Sequence, residues 1–374
     1  MKAAGFRIDE GVAGMPTAFV ATWGSGKPVI GVMGEFDALP GLSQDAVAER
    51  RPRVEGGPGH GCGHNLFGVA SMAAAIAAKQ QLESRRLPGT IRFYGTPAEE
   101  GGNGKVYMVR AGLFKDADVV LHWHPNDRNV ASRTSTFAVI SAKFRYKGVA
   151  AHAASAPDKG RSALDAVMIM THAVDLLREH IPQESRLHYV ITKGGVAPNV
   201  VPDATEVYMY ARHPKITVLD GIWDRILKAA EAGALATGTT LETELVGSTP
   251  ELLPNESLIT LIDRNLREVG GVTYSADERA FAEALQKTFV AGTARPIDEA
   301  ATVRTPDEPL TVGSTDAADV SWVVPSGWLL AATYVPGTPG HTWQATACTG
   351  GSVGRKGMMI AAKTLALTAM DLLT

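Results

Sequence analysis

Three short apolar runs constrain this chain more than any other feature: KPVIGVMG (Lys27 to Gly34), TIRFY (Thr90 to Tyr94) and DVVLHWH (Asp118 to His124). The first is apolar at nearly every position, which suits a strand buried on both faces of an α/β sheet. An alanine-rich stretch, Leu66 to Leu82, follows it and reads as a helix with Asn65 as its N-cap. Its Gly68, Ala70, Ala74, Ala77 and Ala78 would let it lie close against a sheet. Alternating strand and helix predicts a largely parallel sheet, whose sites lie outside the carboxyl ends of the strands. Three polar clusters fall there: GHGCGHN before the helix, TPAEEGG after TIRFY, and the histidines that end the third run, where Pro125 is expected to stop the strand.

From about Ser135 the pattern changes. Strands are expected at Ala138 to Tyr146, Leu187 to Thr192, Thr205 to Arg212 and Thr239 to Val246, with helices at Ser162 to His180 and Val218 to Ala236. That βαββαβ order is a ferredoxin-like unit with its own core, inserted into the larger domain. The division expected is a discontinuous domain of residues 1–135 and 251–374 around an inserted domain of 136–250. The chain returns through an amphipathic helix, Glu256 to Val269, and closes with one near Gly357 to Leu373. Strand, turn and strand begin already at Gly14 with little before them, so an N-terminal segment covering one side of the sheet is expected to be missing.

A length of 374 residues allows a large core and two domains, and 45% apolar with 20% charged residues is ordinary for a globular protein. A net charge of −3 gives no reason to expect a nucleic acid or an anionic membrane as partner. Cys62 and Cys348, far apart, do not make a disulfide framework, and no apolar run approaches a membrane span, so the cytoplasm is the expected compartment.

The polar clusters hold metal-ligand chemistry. Cys62 and His64, two apart among glycines, can both point inward. Period-two alternation puts His122 and His124 on one strand face, and His124, nearer the carboxyl end, is the better candidate ligand. Adjacent side chains diverge, so of Glu99 and Glu100 one can bind metal while the other faces a water beside it and takes its proton. Taken singly, a cysteine near a histidine, a glutamate pair or a strand histidine is usually packing or surface. Three such clusters at the ends of consecutive strands favour a metal site.

GEFDALPG, GHGCGHN, TPAEEGG, WHP and GTPGHTWQ, in this order, resemble metallopeptidase family 20 in its amidohydrolase branch, over nearly the whole chain from about Gly14. The resemblance implies two divalent metal ions per chain, zinc or manganese, bridged by the Cys62 thiolate. It implies His64, Glu100, His124 and His341 as the other ligands and Glu99 as general base. Asp37 would orient a ligand histidine. His341 enters only through the resemblance, since its surroundings read as an ordinary turn. His122 has no place in the family pattern and is expected either to support a ligand from behind or to be structural, and Cys348 is expected to be a buried small residue.

In the inserted domain, TEVYMYAR places Tyr208, Tyr210 and Arg212 on one strand face and Val207, Met209 and Ala211 on the other. An arginine on an open sheet face can hold a carboxylate through parallel hydrogen bonds. By resemblance, Asn199 and Arg212 hold the carboxylate of the amino-acid part, and the inserted domain acts as lid and dimerisation domain. His152 would cross the dimer interface to polarise the scissile carbonyl. Asp316 and Asp319 resemble a pocket-lining segment and equally suit helix capping.

The resulting expectation is a cytoplasmic, homodimeric metallohydrolase of the α/β class, splitting the amide of an N-acyl amino acid. The best single substrate is p-aminobenzoyl-glutamate, with other N-acyl amino acids and dipeptides next, and a related A-type subunit is a candidate partner. Two alternatives stand beside it. A cysteine hydrolase would use Cys62, activated by a helix N-terminus. A non-catalytic subunit would keep only the fold.

Overall fold

The structure is a computed structural model that describes residues 1–306 and 313–374. Along the chain come β1 (Arg7–Glu10), β2 (Phe19–Ser25), β3 (Val29–Glu35), α1 (His64–Arg85), β4 (Gly89–Thr96), α2 (Glu99–Gly102), α3 (Gly104–Arg110), β5 (Val119–Asn126) and β6 (Val130–Ala131). Next are β7 (Ala138–Lys147), α4 (Ala163–Leu177), β8 (Arg186–Lys193), β9 (Ala204–His213), α5 (Ile216–Thr237) and β10 (Thr240–Thr249). The chain ends with α6 (Glu256–Val269), α7 (Ala276–Gln286), α8 (Ala317–Ser321), β11 (Ser326–Ala332), α9 (Trp343–Gly350) and α10 (Ser352–Leu373).

The described residues divide into two compact units. One comprises Met1–Thr134, a segment returning at Leu253, and Asp319–Thr374. The other is built on Ser135–Leu252.

The first unit holds a seven-stranded sheet in the order β1-β2-β4-β3-β5-β11-β6. Its centre, β4-β3-β5-β11, is parallel, and antiparallel strands flank it on both sides. Every residue of β3 is buried, as its unbroken apolar sequence requires. On one face Val32, Leu121 and Trp123 pack with Phe67, Ala70, Ala74 and Ala78 of α1 and with Leu365 of α10. The Trp123 indole N–H donates to the Phe67 carbonyl at 3.1 Å, so α1 and β5 are fixed by a directional bond as well as by packing.

Several boundaries differ from the sequence reading. The residues before Gly14 are not bare, because β1 pairs antiparallel with β2 and Phe6 is buried in the core. The N-cap of α1 is Gly63 rather than Asn65: Gly63 takes the left-handed conformation (φ 79°), so His64 already starts the helix. Asn65 lies in the first turn, and its amide donates to the Thr349 carbonyl. Pro125 does not end β5, which runs on to Asn126. β3 pairs with β5 only as far as Leu121, so at Pro125 the strand has a neighbour on one side alone, where proline is tolerated.

In the second unit four antiparallel strands lie in the order β10-β7-β9-β8, with α4 and α5 packed on one face of the sheet. Along β9, Val207, Met209 and Ala211 are buried against these helices while Tyr208, Tyr210 and Arg212 stay partly exposed, as the period-two pattern predicts.

The return through α7 is fastened electrostatically. Ser275 and Glu278 form a reciprocal capping box, and Lys356 of α10 donates to the Glu278 carboxylate. Burial alone would raise the Glu278 pKa, but Lys356 and the Ser275 N–H outweigh it and hold the group down to about 2, against the ordinary 4.5. A carboxylate depressed on folding stabilises the fold above its unfolded pKa and loses that contribution as pH falls through its folded value. Glu278→Gln should therefore cost about 1.5–3 kcal/mol at neutral pH. In denaturant titrations the gap from wild type should shrink below about pH 4.5 and vanish near pH 2. A gap independent of pH would refute the assignment.

Candidate metal centre

The candidate site lies wholly in the first unit, at the carboxyl ends of β3, β4 and β5. The GHGCGHN loop is pinned to the segment after β3: Leu39 and Gly59 exchange backbone hydrogen bonds at 2.9 and 3.1 Å. A Cβ at Gly59 would lie 1.9 Å from the Leu42 carbonyl oxygen, so this crossing admits only glycine. The turn before α9 is held to the same loop, because the His341 N–H donates to the Gly61 carbonyl at 2.9 Å.

Asp37, just past β3, joins two further segments. One oxygen lies 2.9 Å from His64 Nδ1 and the other accepts from the Glu100 N–H at 2.9 Å. Burial opposes the Asp37 charge, but these two partners keep its pKa below the usual carboxylate range. His124 is oriented by its own strand: Nδ1 lies 2.7 Å from the Pro125 carbonyl, which can only accept, so Nδ1 carries the proton. The Nε2 lone pair is left facing Cys62 Sγ, 3.4 Å away. Burial, then the nearby His64, lowers the His124 pKa to about 4, which keeps it neutral at physiological pH, as a metal ligand must be.

The donor atoms converge in groups. Cys62, His64 and His124 offer atoms within 4.8 Å of one another, and so do Cys62, Glu100 and His341. Both groups contain Cys62. Glu100 Oε1 is buried without a hydrogen bond and lies 3.5 Å from His341 Nε2, a placement that suits two donors to one cation. Thiolate, imidazole and carboxylate are zinc and manganese donors, so the residues present fit two divalent ions. Glu99 falls in a different group, with Glu35 and His64. Ala98, Asn103 and His341 all have positive φ (60°, 50° and 57°), so strained backbone brackets the glutamate pair and holds His341.

Without metal, burial pushes the Cys62 thiol up to about 12. A nucleophilic cysteine needs the opposite shift, which disfavours the cysteine-hydrolase alternative despite the helix start nearby. A bound cation reverses the balance and deprotonates a coordinating thiol.

His122 is buried beneath the site, stacked on Trp328 with ring centroids 5.6 Å apart, and burial lowers its pKa to about 3. Cys348 is buried in the core cluster around Tyr334 and Val335. Asp316 directly precedes α8 and Asp319 lies in its first turn. Two charged residues at the site escaped the sequence reading. Glu35 ends β3 and is 2% exposed, while Lys105 in α3 is fully buried and reaches the Glu35 carboxylate at 2.6 Å. Glu35 stands two residues before Asp37, a spacing that was available in the sequence; Lys105 carried no such signal.

The remaining candidates lie in the second unit. Arg212 sits over the Tyr210 ring, 5.6 Å from its centroid. The Asn199 carbonyl accepts from the Ala153 N–H at 3.0 Å, which places Asn199 beside the His152 turn. His152 Nδ1 accepts from the N–H groups of Ala154 and Ser155, both at 3.2 Å. Its exposed ring therefore carries its proton on Nε2 and can donate it outward.

Comparison with known proteins settles the family. Residues 31–342 match peptidase family M20/M25/M40. The chain belongs to peptidase family M20/M25/M40. This membership makes it a metal-dependent hydrolase of the M20 type, with a largely parallel catalytic sheet and a smaller inserted domain. Among its relatives, the B subunit of p-aminobenzoyl-glutamate hydrolase from Escherichia coli (strain K12) is 42% identical, covering 100% of this chain and 83% of that protein. Xaa-Arg dipeptidase of Mus musculus is 31% identical over 96% of this chain and 75% of its own length. The crystal structure of a dinuclear metal-binding M20 peptidase from Bacillus subtilis superposes with a TM-score of 0.63 at 16% identity, covering 100% of this chain and 89% of that one.

Proposed function

We propose that this chain is a dinuclear metallohydrolase that splits the amide bond of N-acyl amino acids, with p-aminobenzoyl-glutamate as the best single substrate. The observation that carries the reading is the sharing of Cys62 by two ligand groups, the first completed by His64 and His124 and the second by Glu100 and His341. Divalent ions held there, zinc or manganese, would lower the pKa of a water and polarise the scissile carbonyl. Glu99, outside both groups, takes the proton of the attacking water and passes it to the leaving nitrogen. Asp37 keeps His64 oriented; partners of this kind change metal affinity or activity by about 10–100-fold.

Substrate choice draws on the E. coli relative and on the chemistry of the second unit, which we assign as a lid and dimerisation domain. Asn199 and Arg212 would hold the carboxylate of the amino-acid part, a charge-assisted contact in which the planar guanidinium suits two parallel hydrogen bonds. The dipeptidase relative keeps dipeptides as the second substrate class. Among the described residues no helix is long and apolar enough to cross a membrane. Because the E. coli relative is named as a B subunit, an A-type subunit is a partner to test beside a homodimer.

For the homodimer, the exposed Val190 and Ile191 on edge strand β8 favour isologous pairing of this domain. His152 of one copy would then donate from Nε2 to the carbonyl oxygen bound at the other copy's centre.

Glu99→Gln should retain both metals and lose turnover by roughly 10²–10⁴-fold, whereas Glu100→Gln should weaken metal binding. Equal metal loss in both variants would mean that base and ligand are assigned the wrong way round. In the same assays Arg212→Ala should weaken substrates with a free carboxylate and spare amide-capped ones.

His152→Ala alone should cost about 10²–10³ in rate. Mixed with Glu99→Gln, it should regain roughly a quarter of wild-type activity, because half the randomly paired dimers each carry one complete site. Subunit exchange without any regain would rule out action across the interface.

A further inference from the structure

We infer that Glu35 is a further metal ligand, holding through Oε2 the ion that His64 holds through Nε2, and that Lys105 is the residue that positions it. The inference rests on the dinuclear reading above and adds a residue outside its ligand set.

The geometry around His64 points there. Its Nδ1 is taken by Asp37 at 2.9 Å, which leaves Nε2 as the coordinating atom. Glu35 Oε2 lies 3.0 Å from that Nε2. Both atoms are buried and face each other as an ion-pair contact, but neither makes a well-formed hydrogen bond. When Nδ1 carries the proton toward Asp37, Nε2 presents a lone pair to the carboxylate, and two buried donor atoms this close suit a cation between them. Ligand atoms at ~2.0–2.2 Å from one ion lie about 3 Å apart when they subtend roughly a right angle. The observed separation is that of neighbouring donors on one ion.

The surroundings fit a ligand better than an ordinary ion pair. Lys105 Nζ occupies the other Glu35 oxygen at 2.6 Å, with the lysine fully buried and the glutamate 2% exposed. One carboxylate oxygen is thus fixed by an ammonium and the second is aimed at His64, which is how a partner behind a ligand orients it. Lys105 comes from α3, just after the glutamate pair, so the same short segment supplies both Glu99 and the group that steadies Glu35. Glu99 belongs to the group formed by Glu35 and His64, all within 4.8 Å, so the proposed base stands beside the ion that Glu35 would share.

The test compares wild type, Glu35→Gln, and the double variant Glu35→Gln with Lys105→Met. Removing both buried charges leaves no unpaired ion in the core, so the double variant keeps the result readable if the single one folds poorly. Each protein is titrated with zinc against a competing chelator, then loaded with cobalt(II) and its absorption spectrum recorded.

Both variants should keep one ion at wild-type affinity and hold the other at least ~10-fold more weakly. The cobalt d–d bands should change while the thiolate charge-transfer band from Cys62 persists. Normal affinity for both ions in the double variant would overturn the proposal, since Glu35 would then serve only to neutralise Lys105. Equal weakening of both ions in folded double variant, or an unaltered cobalt spectrum, would overturn it as well. A wild-type protein that takes up no divalent ion would instead defeat the dinuclear reading itself.

Discussion

The carboxylate of Asp37 is the tie on which the proposed centre depends. It reaches His64 at the start of α1 with one oxygen and the Glu100 N–H after β4 with the other. A single side chain thereby sets the distance between a histidine and a glutamate that lie far apart in sequence, one in each of the two ligand groups. Its position follows from β3, whose residues are all buried and whose parallel pairing with β4 continues to Glu35, two residues before Asp37.

Around that tie, rigidity comes from the backbone rather than from a large apolar core. The Gly59 crossing, the Gly61–His341 hydrogen bond and the left-handed Gly63 fix the cysteine loop at three points. Positive φ at Ala98 and His341 costs on the order of 1–2 kcal/mol at each residue, whereas Asn103 is of a type that tolerates it. Strain of this kind persists when surrounding contacts over-determine it, and ligand-holding segments are where it gathers. The Trp123–Phe67 bond beneath the site keeps His124 and His64 on elements that cannot slide past each other.

Much of this was legible in the sequence. The parallel centre of the sheet followed from continuous apolar runs, and the βαββαβ unit from its switch in element order. The alternation along β9 located Arg212 on the face away from the helices, and α6 begins and ends where its amphipathic pattern does. What stayed hidden did so for physical reasons. Asn65 looked like a cap because capping chemistry is local, whereas the helix start was decided by a glycine turn two residues earlier. His341 sits in a turn whose sequence carries no chemistry, and only a long-range backbone bond brings it to Cys62's loop. Lys105 appears as one charge in a short helix, and nothing local reveals that its partner is a strand-end glutamate far earlier in the chain. Ligand sets assembled from separate loops are legible residue by residue, but their geometry is not.

The central claim is that two ligand groups sharing Cys62 hold two divalent ions that this chain uses for hydrolysis. Elemental analysis of purified protein, paired with a p-aminobenzoyl-glutamate assay before and after chelation, tests it most directly. The account predicts close to two divalent ions per chain, with hydrolysis lost on chelation and restored by zinc or manganese. Protein without metal whose activity survives chelators would contradict it.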